Sequence, residues 1–191
     1  MKRMLGIMIG ALIVFAMVGC SGSADGEKGK EKEVAPEVSV EEVMDGIKGQ
    51  VVQDVKDAGF DEGQSDEELI QSYMQLDLVN GDKEDPFIQM LLERTELDIG
   101  LLEEGYLFAP IFNTKSDEII VLKAKSNEDA EVLKASLQKE LDAQIQTWSQ
   151  YLPDQYAHVE KNVLKTKGKY VVYITYSNVD AVEKVFDEKV K

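Results

Sequence analysis

The chain has one cysteine, one histidine and one tryptophan, so few residues could do chemistry. Cys20 ends an apolar run from Met4 to Val18 that follows Lys2-Arg3, with the small residue Gly19 before it. A thiol at that point can be alkylated by a lipid donor, and the run before it reads as a secretory signal. One cysteine excludes an intrachain disulfide framework, and one histidine excludes a paired-histidine metal site. His158 could act as a base only with a nucleophile or carboxylate beside it, and the sequence places neither there. It reads as a surface or boundary residue. Asp117-Glu118 leads an apolar β-type run. Two carboxyls in a cleft can divide into acid and base, but close acidic pairs arise by chance in a chain with 37 Asp and Glu. Asp117 and Glu118 are therefore the weaker, catalytic alternative.

Other stretches point to binding or to nothing specific. Asn80-Gly81-Asp82-Lys83-Glu84-Asp85 has a calcium-loop composition but lacks the mid-loop glycine and closing glutamate of an EF-hand. It reads as a polar connection, and no metal or cofactor is implied. Trp148, Tyr151 and Tyr156 cluster near the end of a helical stretch. Trp148 continues the apolar stripe and belongs to the core. Tyr151 and Tyr156, with Tyr173 on a strand face, are the candidate binding residues, because aromatic rings can stack on a sugar or grip a peptide. No G-x-S-x-G, P-loop, G-x-G-x-x-G or H-E-x-x-H motif is present. A net charge of −16 over 191 residues lacks the basic footprint of a nucleic-acid binder.

These residues must be held by elements of definite type. Ser39 and Glu42 have capping-box spacing before Val40, Val43, Met44, Ile47 and Val51, and Gly46 and Gly49 weaken that helix. Ser65 and Glu68 repeat the spacing before Leu69, Ile70, Tyr73 and Met74. Asp85-Pro86 opens a third helix. The segment 36–104 thus reads as helical. Tyr106–Phe112 and Ile119–Lys125 read as a hairpin, and Pro110 suggests an edge or a bulge. Ser126 caps a long helix with Leu133, Leu137, Leu141, Ile145 and Trp148 inward. Val163–Thr166 and Tyr170–Tyr176 form a second hairpin turning at Lys167-Gly168, and Ser177 and Asp180 cap a last helix.

The expected fold is therefore α+β: a mostly antiparallel four-stranded sheet in ββαββα order over 105–191, packed on helices. Both faces of the strands are apolar, so the N-terminal helices are expected to cover the second face. The alternative leaves part of that face as a binding surface. Residues 1–19 read as a lipoprotein signal peptide, 20–35 as a lipidated Cys with a polar tether, and 36–191 as one α/β domain.

Two sets of residues carry a resemblance. Met17-Val18-Gly19-Cys20 resembles the lipobox of bacterial lipoproteins, which implies lipidation of Cys20 and cleavage before it. Ser116–Ala124, the helix after it, Tyr151-Leu152-Pro153-Asp154-Gln155 and Lys167-Gly168-Lys169-Tyr170-Val171 resemble a family of uncharacterised lipoproteins from Gram-positive bacteria, known only as a domain of unknown function. The resemblance covers about 66–190. It implies an envelope location and carries no catalytic residues; Gly168-Lys169-Tyr170 stands where that family has Gly-Asn-Tyr.

The expectation is a lipid-anchored extracytoplasmic protein that binds without catalysis. Its partners would be the membrane through lipidated Cys20 and an envelope protein or wall-related ligand. The alternatives are an envelope enzyme with a carboxylate site and a small-ligand-binding accessory lipoprotein. Replacing Cys20→Ser should move the protein from the membrane to the soluble fraction and abolish incorporation of labelled fatty acid. Full membrane retention of the variant would contradict lipid anchoring.

Overall fold

A computed structural model describes residues 37–191, and these form one compact unit. The signal segment 1–19, Cys20 and the whole of the tether to residue 35 lie outside the described residues. The Ser39 hydroxyl accepts from the Glu42 N–H and starts α1 (Val40–Asp57), as the spacing predicts. Ser65 and Glu68 form a reciprocal capping box, yet α2 (Asp66–Leu69) lasts one turn. Tyr73 and Met74, expected to continue that helix, lie instead in strand β1 (Tyr73–Asp77). The segment alternates: Met74 and Leu76 pack into one core, and Tyr73 stacks on Phe108 toward the other. Pairing with a neighbouring strand outweighs the local capping signal.

Asp85 accepts from the Phe87 and Ile88 N–H groups, and Pro86 opens α3 (Pro86–Thr95). Strands β2 (Leu102–Pro110) and β3 (Glu118–Ala124) form the first hairpin. Pro110 does not mark an edge. It ends β2 opposite Tyr73, beyond the last β2–β3 pair at Phe108 and Ile119, where no ladder needs its missing N–H. The bulge in β2 falls at the far end, between Leu102 and Glu104.

Ser126 caps α4 (Asn127–Trp148). Pro153 then opens a separate helix, α5 (Pro153–Glu160), which carries Tyr156 and His158. Strands β4 (Val163–Lys167) and β5 (Tyr170–Thr175) turn at Gly168, whose φ of 59° suits a residue without a side chain. The last helix, α6 (Val179–Lys189), begins at Asn178 with no side-chain cap, not at Ser177. The Asn178 amide donates to Asp54 of α1 instead.

The sheet has five strands, not four, in the order β1-β2-β3-β5-β4, and every pair is antiparallel. From β2 onward the expected ββαββα order holds, with α5 added after α4. β3 and β5 are buried on both faces. One face, with Leu107, Ile120, Leu122, Val171 and Tyr173, packs on α4 and on residues of α3 and α5. The other, with Phe108, Ile119, Val121, Val172 and Ile174, packs on α1 and α6. The N-terminal helices thus divide: α1 covers the second face with α6, and α3 joins the first. Gly46 lets α1 and α6 approach closely, since a Cβ there would lie 3.0 Å from Val185 Cγ1. At edge strand β4, Lys165 pairs with Glu183 and Asp187 of α6, and a charged edge resists pairing with another chain.

Phe186 is fully buried between α6 and the sheet, whereas Phe60 is 72% exposed. Phe186→Ala should cost about 3–5 kcal/mol of unfolding free energy in urea, and Phe60→Ala no more than about 0.5 kcal/mol. Equal, small losses would contradict a sealed second core.

Candidate functional site

The first face is not covered completely. Between α3, the β2–β3 loop and the C-terminal half of α4 lies a cavity of about 410 Å³. That volume falls in the range that takes small ligands. Met74, Leu107 and Ala109 of the sheet line it, with Arg94 of α3, Glu118 of β3, and Gln144 and Trp148 of α4. Its mouth carries five exposed apolar side chains, Phe87, Met90, Ile111, Phe112 and Tyr151, beside the exposed Asn113 and Lys115.

The polar lining includes Arg94, Glu118 and Gln144, and Glu140 of α4 stands behind it, outside the lining. Glu140, Gln144 and Trp148 recur every fourth residue and so stand in line. The Glu140 carboxylate is fully buried and accepts two bonds from Arg94, Nε to Oε2 at 2.7 Å and Nη2 to Oε1 at 2.6 Å. The Gln144 amide donates to Glu118 Oε2 at 2.8 Å and to Glu140 Oε1 at 3.1 Å. The Trp148 indole N–H donates to Gln144 Oε1. Burial first, and the Glu140 charge second, hold the Glu118 carboxyl well above the usual carboxylate range, against a smaller pull from Arg94. The Tyr173 hydroxyl is buried with no hydrogen-bond partner among the described residues. Burial raises its pKa first, and the charges of Glu118 and Glu140 raise it further.

Asp117 forms a second, smaller constellation. Tyr73 O–H donates to its Oδ2 at 2.9 Å, and His158 Nδ1 lies 4.0 Å from its Oδ1. A carboxylate therefore does stand beside the only histidine, which the sequence could not show because β3 and α5 are distant along the chain. Burial pushes the Asp117 carboxyl up, and the Tyr73 hydrogen bond, Lys115 and His158 oppose this. No nucleophile completes a triad: the nearby Ser116 hydroxyl donates to the Gln155 carbonyl.

The structure treats the candidate residues unequally. Asp117, Glu118 and Tyr151 all line the cavity. Trp148 is buried, as expected, and its ring lies 5.8 Å from that of Tyr151. Tyr156 is half-buried against the first core. Tyr173, taken as a strand-face contact, is fully enclosed beneath α4 and presents no surface. Arg94, Glu140 and Gln144 were not foreseen. The signal was helical spacing: Leu137, Leu141, Gln144 and Trp148 form the inward stripe, and Ile145, expected inward, is exposed. Among the described residues, no group of three or more His, Cys, Asp or Glu side chains could hold a metal ion.

The fold is thus a helix-covered antiparallel sheet with a cavity on one face. Residues 78–176 match the family model described as "Domain of unknown function (DUF4358)", more than half of the chain, and the chain belongs to that family. The matched segment carries every cavity-lining residue except Met74, while α1 and α6 on the other face lie outside it. No curated protein and no solved structure matches the chain.

Glu118 is a source of pH dependence with a definite sign. In the unfolded chain it ionises near 4.5, and in the folded one much later. The stability it contributes is full below 4.5 and is lost as pH rises toward the folded value. Glu118→Gln removes that loss. In urea unfolding the variant should therefore gain on the parent as pH rises from 4.5 to 8. A constant difference across that range would contradict a proton held at Glu118.

Proposed function

We propose that this protein is a lipid-anchored, extracytoplasmic binding module whose cavity holds an apolar ligand without catalysis. The supporting observation is the distribution of exposed apolar side chains. Eight large hydrophobic residues are exposed among the described residues, and five of them surround this one mouth. Scattered exposed apolar residues mean little, but a group rimming a cavity marks a binding surface. The lipobox-like Met17–Cys20 supports the anchoring half, and no described helix is long and apolar enough to cross a membrane. An anchored domain would work by local concentration, keeping its ligand or envelope partner near the membrane.

A second reading, an envelope enzyme, draws support from Asp117 and Glu118: both are buried, both face the cavity and both have raised pKa values. Their existing bonds favour binding. Gln144 occupies Glu118, and Tyr73 occupies Asp117.

Trp148 is the only tryptophan and stands in the cavity wall, so it reports occupancy. Soluble residues 34–191 should show saturable energy transfer from Trp148 to the apolar probe N-phenyl-1-naphthylamine. Phe112→Glu should weaken it about tenfold. Absence of saturable transfer, or an unaffected Phe112→Glu variant, would contradict the reading.

A further inference from the structure

The cavity wall has hydrogen-bond donors to spare and little net charge. Glu140 has both oxygens filled, Oε2 by Arg94 and Oε1 by Arg94 and Gln144. The Gln144 oxygen is taken by Trp148, and its amide serves Glu118 and Glu140. A guanidinium has five N–H donors, and Arg94 gives two of its bonds to Glu140. No other acceptor among the described residues takes the remainder, and the Arg94 side chain stays 32% exposed in the cavity wall. On Arg94 the surplus is therefore N–H. The charges nearly cancel: Arg94 offsets Glu140, and at the rim Lys115 offsets Asp117. Glu118 is faced by Glu140 and Gln144 of α4, Arg94 of α3 and Tyr173 of β5, and burial and the Glu140 charge raise its pKa well above the usual carboxylate range.

We propose that the cavity takes a neutral apolar molecule bearing one carbonyl acceptor, an amide or ester on an alkyl or aryl body. The carbonyl oxygen would accept from the spare N–H groups of Arg94. The body would lie against Phe87, Met90, Trp148 and Tyr151. A carboxylate placed there would sit near Asp117 and Glu118, with Arg94 already paired to Glu140. An ammonium would face the like charge of the Arg94 guanidinium. Either leaves a desolvated charge without a partner, whereas a carbonyl satisfies the donors at no cost in charge.

This inference rests on the cavity being an apolar binding site, and the test separates the two. Residues 34–191 are titrated at neutral pH with octanamide, octanoate and octylammonium, three probes of one chain length, with Trp148 emission as the readout. Octanamide should saturate the signal at a concentration about tenfold below either ion. Arg94→Lys keeps the charge facing Glu140 but loses the planar fork, so the advantage of the amide should disappear while the fold remains. An ion that binds as tightly as the amide overturns the ligand class and leaves the apolar binding site standing. A saturable response from none of the three overturns both. An amide preference unchanged in Arg94→Lys overturns the assignment of the carbonyl to Arg94.

Discussion

A sheet whose central strands are apolar on both faces cannot leave either face in water. β3 and β5 are buried along their whole lengths, and this requirement organises the rest of the domain. It brings α1 and α6 together on one side, close enough that Gly46 meets Val185. It brings α4 across the other, with α3 and α5 packed around it. The two coats are not equivalent. The α1–α6 side closes over its core. On the α3–α4 side a cavity remains between α3, the β2–β3 loop and α4. The family match falls on this incomplete side and omits the helices that seal the other.

The cavity wall follows from the same geometry. In the C-terminal half of α4 the inward face carries Glu140, Gln144 and Trp148 beside Leu141. A buried glutamate there requires a partner, and Arg94 supplies it through two N–H groups. Beside that pair, burial and the Glu140 charge push the Glu118 carboxyl well above the usual carboxylate range. The result is a polar wall in which Arg94 keeps N–H groups to spare, behind a mouth with five exposed apolar side chains. The net acidity of the chain is carried elsewhere. Lys123, for example, is paired with Glu37 and Glu103 at the opposite end of β3.

Elements with local signals were legible in the sequence. The caps at Ser39, Asp85 and Ser126, the turn at Gly168 and the apolarity of both strand faces all have causes within a few residues, and each stands where the pattern puts it. β1 was not legible, because the Ser65–Glu68 box is a genuine helix start and only pairing with β2 ends the helix at Leu69. The site was legible in part. Asp117, Glu118 and Tyr151 could be named from residue type. Arg94 is 46 residues from Glu140 along the chain, and no local pattern joins them. Ile145 shows the limit of periodicity: one step around α4 exchanges an isoleucine for the glutamine on which the polar wall turns.

The central claim, that the cavity beside Trp148 is where this protein binds, can be tested by methyl NMR. Met74 and Met90 line the cavity, and Met44 is buried under the opposite face. With methionine methyl groups labelled in residues 34–191, an apolar ligand added in steps should shift the Met74 and Met90 signals along one saturating curve. The Met44 signal should stay still. Equal movement of all three, or movement of Met44 alone, would contradict a site on the α3–α4 face.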